Sequence, residues 1–236
     1  MRAARRMDAP VLPEGEQEFA CAAPAPLDGA AEDGELLTLS HLSSSSRKNF
    51  RRLARKLERD EGGLEMVEES EDPEAITRFL RLQNAGWKGD AAQDGKSFER
   101  TGLDSWFRDV TASFRADGRL SVLSLRTPSR TVFTTVVLHS GSRGFGFHDA
   151  YDQELAAYSP GALGRLAELK ALLGSGRAEM FDPSMDDQKY PQASHLYPDR
   201  MRCGSFTVGV RGPGRHVARH LPMARRLRDR LRRSQG

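Results

Sequence analysis

Cysteine is scarce in this chain: Cys21 and Cys203 are the two in 236 residues, and they stand far apart. Such a pair builds neither a disulfide framework nor a zinc-ligand spacing, which excludes a disulfide-stapled secreted scaffold and predicts a reducing compartment. No apolar run approaches the roughly 20 residues that a membrane helix needs. "RAARR" (2–6) is followed by no apolar core, so no secretory leader is expected and the reading is cytoplasmic. His41, His139, His195, His216 and His220 show no ligand spacing with acids or cysteines. His216 and His220 stand one helical turn apart but lack a third ligand, so no metal is expected. Aromatics make up 7% of the chain and hydrophobic residues 38%, lean for the length. That leanness predicts a packed centre with polar ends.

What is present is charge, unevenly placed. The formal net charge is only +3, yet "RKNFRRLARKLER" (47–59) and "RRLRDRLRR" (225–233) are densely basic and residues 60–75 are acidic. Two basic helices can track a phosphate backbone or lie on an anionic membrane, which opens a non-catalytic class of function. No nucleic-acid motif accompanies them, and a solvated helix face is the plainer reading.

Apolar periodicity organises the rest. "LSSSSRKNFRRLARKLERDEG" (42–62) reads as a serine-capped helix with Phe50, Leu53, Ala54 and Leu57 as its stripe. "LEMVEES" (64–70) alternates like a strand, and Asp72-Pro73 signals a helix that carries Ile76, Phe79, Leu80 and Leu82. Leu103, Trp106, Phe107, Val110 and Phe114 predict another helix, closed by Gly118. Strands follow at 119–127, 131–140 and 143–152, joined by turns short enough for hairpins. Then come a helix from 159 to about 173, strands at 177–183 and 204–210, and a basic amphipathic helix from His216. This order predicts an α+β fold with a largely antiparallel sheet, not a doubly wound one.

The junction "AYSPGALGRL" (157–166) carries two readings. Ser159 can cap the helix and Pro160 suits its first position. Alternatively, the unpaired N–H groups of Gly161, Ala162 and Leu163, with the helix dipole, can hold a phosphate, and Arg165 and Lys170 add positive charge.

Four blocks in order, "SSSSRKNFRRLARKLE", "FLRLQNAGWKG", "FHDAYDQELAAYSPGALGRLAEL" and "MFDPSMDDQKY", resemble the CelD-like acyltransferase domain over about 43–192. That domain is a branch of the GNAT superfamily related to Fem-type aminoacyl transferases. The resemblance implies a GNAT-like mixed sheet flanked by helices, with acyl-CoA (acetyl-CoA) as donor and no metal. It implies that the strand at 143–151, Phe147 included, binds pantetheine through its backbone and that the loop at 157–165, with Ser159, Gly161, Ala162, Leu163, Gly164 and Arg165, holds the pyrophosphate. It also points to polysaccharide biosynthesis, with a small molecule or saccharide as acceptor. Fem-like aminoacyl transfer is the alternative.

For the chemistry, Phe147 and His148 are expected to offer an oxyanion N–H from a splayed strand. His148, Asp149 and Asp152 are candidate bases, Asp149 being the acid that matches the family motif. Strict alternation puts Phe145, Phe147, Asp149 and Tyr151 on one face and His148 on the other, with Tyr151 toward the acceptor. Tyr190 follows the "FD" strand where superfamily members often place the thiolate's acid, and Tyr158 is its rival. Trp87, Asp182 and Lys189 complete the acceptor-side candidates, each with a plainer reading as edge tryptophan, turn residue and surface lysine. The expected domains are a flexible arm over 1–42, an acyltransferase domain over 43–212 and a basic helix over 213–236. "APVLPEGEQEF" (9–19) resembles the join of two-lobed relatives, so the arm is expected to be the remnant of a first lobe. Such a lobe, or a second copy of the chain, is the protein partner this implies.

Overall fold

A computed structural model describes residues 10–23, 36–186, 189–210 and 212–233. In chain order the elements are β1 (Val11–Cys21), α1 (Ser44–Glu61), β2 (Glu65–Glu68), α2 (Ala75–Ala85), α3 (Phe98–Thr101), α4 (Asp104–Ala116), β3 (Leu120–Arg126), β4 (Thr131–Ser140) and β5 (Arg143–Tyr151). They continue with α5 (Pro160–Gly174), β6 (Met180–Asp182), α6 (Pro191–Ser194), β7 (Asp199–Val208) and α7 (Gly212–Arg233). Two compact units divide the chain, residues 20–200 and residues 1–19 with 201–236.

The larger unit is a three-layer α+β structure. Its sheet runs β2-β3-β4-β5-β6, antiparallel throughout except for the last, parallel pair. Leu57, Leu125, Phe133, Val137, Leu163 and Leu166 pack α1 and α5 against one face. Ile76, Phe79, Phe98, Phe107, Val122 and Val136 pack α2, α3 and α4 against the other. Both faces being covered explains why β3 and β4 are buried along nearly their whole length, their serines and threonines included. Ser43 caps α1 as expected, its hydroxyl accepting from the Ser46 N–H at 3.2 Å. Asp72 instead accepts from the Glu74 N–H, and α2 begins beyond it at Ala75.

In the smaller unit β1 and β7 form a two-stranded sheet, and α7 follows. The arm expected over 1–42 is therefore corrected where it is described. Val11–Cys21 is a strand despite its Pro, Gly and Glu content, because β7 supplies its ladder partners. Leu37, Leu39 and Leu42 are buried in the core of the larger unit, which starts at Ala20 rather than at 43.

Candidate active site

The β5–β6 pair is short. Arg143, Gly144 and Phe145 pair with Met180, Phe181 and Asp182, and β6 then ends while β5 continues to Tyr151. Gly146 still touches the departing chain: a Cβ there would stand 3.1 Å from the Pro183 carbonyl oxygen. Beyond it, among the described residues, the edge of β5 has no strand beside it. The Asp152 N–H donates to the Val132 carbonyl on β4, at 2.9 Å. By strand alternation the backbone groups of Tyr151 and Asp149 then face away from β4, toward the side β6 has left. Lys88 Nζ reaches that side and donates to the Asp149 carbonyl at 2.9 Å.

A β-bulge sits at the opening. Val136 pairs with His148 and Val137 with Gly146, so Phe147 is the extra residue. The bulge overturns strict alternation, because an inserted residue resets which face its neighbours take. Phe147 and His148 lie on the same side, their rings 5.1 Å apart. Phe147 stacks on Phe107 at 5.4 Å, and His148 meets Phe98 edge-on at 4.6 Å. Asp149 keeps to the opposite face, beneath α5.

The mouth of α5 differs from both readings of its sequence. Ser159 is left-handed (φ 56°, ψ 54°), and its side chain caps nothing. Its carbonyl accepts from both Ala162 (3.0 Å) and Leu163 (3.1 Å). Of the three expected donors only the Gly161 N–H remains without a partner among the described residues. Leu163 and Gly164 face the core rather than a ligand: Leu163 is fully buried, and a Cβ on Gly164 would fall 2.0 Å from Phe133 Cγ. Arg165 is also withdrawn from the mouth, its Nη2 donating to Asp149 Oδ2 at 2.5 Å.

Beneath β5 lies a polar group of residues that runs from half-buried Lys88, Asp149 and Arg165 to buried Thr135, Glu168 and Tyr197. Besides Arg165, Lys88 Nζ stands 3.8 Å from the Asp149 carboxylate. One turn along α5, Glu168 accepts from Thr135 Oγ1 at 2.9 Å. Burial first, and then the Asp149 charge, push the Glu168 carboxyl up to about 8, while Thr135 and Arg165 pull the other way. Tyr197, also buried, is pushed well above the usual phenol range by burial and by Glu168. Asp149 and His148 thus work on opposite faces of β5 and do not form one catalytic pair.

Residues 44–191, well over half of the chain, match the acetyltransferase (GNAT) domain family. The chain belongs to that family. No curated protein sequence matches it. Among solved structures, a conserved protein of unknown function from Bacteroides thetaiotaomicron VPI-5482 is similar in fold, with a TM-score of 0.54 at 12% identity over 84% of this chain and 61% of that one. FemX matches with a TM-score of 0.49 at 13% identity, over 78% of this chain and 59% of its own. The C-terminal DUF2156 domain of a putative lysylphosphatidylglycerol synthetase from Agrobacterium fabrum gives 0.49 at 12% identity, over 92% and 66%. The GNAT chain therefore spans about three fifths of the length of the first two.

The remaining sequence candidates of this GNAT domain scatter. Tyr190 is 39% exposed, and Lys189, also exposed, lies 5.1 Å over its ring. Asp182 accepts from the Ser184 N–H at 2.7 Å, the turn role. Tyr158 is held by α1, donating to Asp60 at 2.9 Å beneath Lys56. Trp87 and Lys88 do reach β5, closing with Gly86 over Ala150 and Tyr151 around a gap of about 10 Å³. Tyr151 also touches the helix mouth, its ring 3.3 Å from where a Gly161 Cβ would stand. Sequence reasoning missed Lys88, Glu168 and Thr135 as members of the site, since only the fold joins 88, 135, 149 and 168. A cleft of about 820 Å³ lies at the far end of α5, lined in part by Glu69, Asp72 and Arg177. Arg78 and Arg126 both donate to Glu69, so that acid is already engaged.

His148 carries a direct prediction. Burial, with the Lys88 ammonium adding to it, lowers its pKa to about 4 against the pull of Asp149. An NMR titration is expected to find the imidazole neutral from pH 8 down to 5, with its midpoint near 4. A midpoint near 6.5 would mean that the aromatic box around it is open to water. Among the described residues no three His, Cys, Asp or Glu side chains gather as metal ligands, and no helix is long and apolar enough to cross a membrane.

Proposed function

We propose that this GNAT domain transfers an acyl group from acyl-CoA to an amine or hydroxyl of a small molecule or saccharide. The observation that carries the reading is the open edge of β5, from the Phe147 bulge onward, beside the mouth of α5. The outward Asp149 N–H and the outward backbone of Tyr151 offer ladder groups to a pantetheine amide. Gly161 N–H, the helix dipole and the Ser159 hydroxyl are suited to the diphosphate. In the reaction the acceptor nitrogen or oxygen bonds to the thioester carbon, the C–S bond breaks, and the departing thiolate takes up the proton the acceptor loses. His148, near 4, is too weak a base to strip an ammonium, so an amine acceptor enters neutral. The Asp149 carboxylate, held by Arg165 and Lys88, shapes the strand instead of taking that proton.

A rival reading is a basic module, favoured by the exposed cations Lys48, Arg52, Arg55 and Arg59 of α1. Calorimetry and thermal shifts separate the two. CoA at 100 times its dissociation constant is expected to add roughly 2.7 kcal/mol of stability. Gly161→Val, crowding the mouth against Tyr151, is expected to weaken CoA at least tenfold while the ligand-free protein stays folded. Undiminished affinity in that variant rules out the phosphate assignment. Salt-sensitive binding to duplex or anionic vesicles with no CoA response favours the rival.

A further inference from the structure

We propose that the α4-facing side of the β5 opening receives the hydrocarbon tail of an acyl group longer than acetyl, along a wall made by Phe147, Trp106 and Leu103. The inference rests on the acyl-CoA reading above and adds the class of acyl group. The bulge turns the Phe147 ring onto α4, where it meets Trp106 at 5.9 Å and Phe107 at 5.4 Å. Phe98 backs the same cluster, 4.3 Å from Phe107 and 6.3 Å from Trp106. Phe98 and Phe107 are buried, yet Trp106 is 48% exposed and Leu103, which precedes the first turn of α4, is 46% exposed. The inner half of one aromatic cluster is thus dry while its outer half faces water.

The three side chains that make this wall, Phe147, Trp106 and Leu103, are themselves uncharged. Their polar neighbour, His148, is boxed by Phe98, Phe107 and Phe147. Lys88 and Asp149 engage each other at the β5 edge and Arg165 pairs with Asp149 across the sheet, so these three charges are already partnered. A wall of this chemistry discriminates by apolar area. It also begins at Phe147, the residue where β5 loses its neighbour, so a thioester seated at the bulge points its acyl tail along these rings.

The test is calorimetry of the full chain with CoA, acetyl-CoA and octanoyl-CoA, on the wild type, Trp106→Ala and Leu103→Ser. Each methylene fully removed from water multiplies affinity roughly fourfold, so six more, half covered, predict on the order of fifty-fold. Octanoyl-CoA is expected to bind at least tenfold more tightly than acetyl-CoA. Both variants, altered at half-exposed positions that leave the core intact, are expected to lose most of that preference and to keep their affinity for CoA. Equal affinities for the two thioesters in the wild type overturn this inference and leave the acyl-CoA reading standing. Failure to bind any of the three overturns both. Sedimentation run alongside covers the other occupant of such a face: a dimer that Trp106→Ala dissociates, with chain-length preference unchanged, makes the wall an interface between copies and overturns the inference.

Discussion

Gly164→Ala is expected to destabilise the protein by about 3 kcal/mol, the upper end of what overpacking a core costs. The added Cβ would stand 2.0 Å from Cγ of Phe133 and 2.3 and 2.5 Å from its two Cδ atoms. Those are ring atoms of a fully buried side chain, so no flexible end can swing away. Relief requires α5 to lift off β4, which opens the packing around Leu163 and Leu166. In a chain of this size each kcal/mol moves the melting temperature by about 2–4 °C, so the loss should approach 10 °C. Gly174→Ala near the other end of the same helix is the control. Its Cβ meets only Lys170 Cγ, at 3.8 Å, and the better helix propensity of alanine should stabilise by up to about 1 kcal/mol. Equal melting temperatures for the two variants would show that Gly164 is not the point of closest helix–sheet approach. The glycine read as a phosphate ligand is thus a spacer, and it lets the first turns of α5 lie close on Phe133 of β4.

The elements were legible wherever one face alone was dry. Phe50, Leu53 and Leu57 marked α1, and Trp106, Phe107 and Phe114 marked α4, because 3.6-residue spacing survives without knowledge of the partner surface. The order of strands and helices, with the GNAT resemblance, was likewise enough for a largely antiparallel sheet between helices. What stayed hidden was non-local or a matter of one residue. β1 has no alternation to reveal it and depends on β7, nearly the whole chain away. The bulge at Phe147 leaves no mark in "GFGFHDAY", yet it puts Phe147 and His148 on one side of the sheet and Asp149 on the other. Ser159 in the left-handed region was equally invisible, since serine lacks the signature glycine carries, and that one φ removes two of three expected amide donors. Arg165 was read as a charge for the phosphate, but a charge one turn into an apolar helix must find a partner, and Asp149 is that partner.

Glu168 makes the second large prediction, one of sign as much as size. Its carboxyl sits near 8 in the folded chain against an ordinary 4.5, so between those values the native state keeps a proton that the unfolded chain has released. Stability tied to Glu168 is therefore complete below about 4.5 and is lost as pH rises through 8, at about 1.4 kcal/mol per pH unit. Burial lowers the pKa of His41, His139 and His148, and these add stability as pH rises toward 6.5, so they mask the acid half of the window. The clean interval is pH 6.5 to 8, where the wild type should lose about 2 kcal/mol in denaturant titrations. Glu168→Gln keeps the shape and the Thr135 hydrogen bond but has no proton to lose. It should show no such loss and, at pH 8, should exceed the wild type by about 4 kcal/mol, the full linkage from 4.5 upward. Asp149, Arg165, Thr135 and Tyr197 surround the carboxyl from β4, β5, α5 and the segment before β7, and a wild type whose stability is flat across the interval would mean that Arg165 divides itself between the two acids and holds Glu168 ionised. In that case Asp149 would be only half restrained, and its exclusion as a base would fall with the prediction.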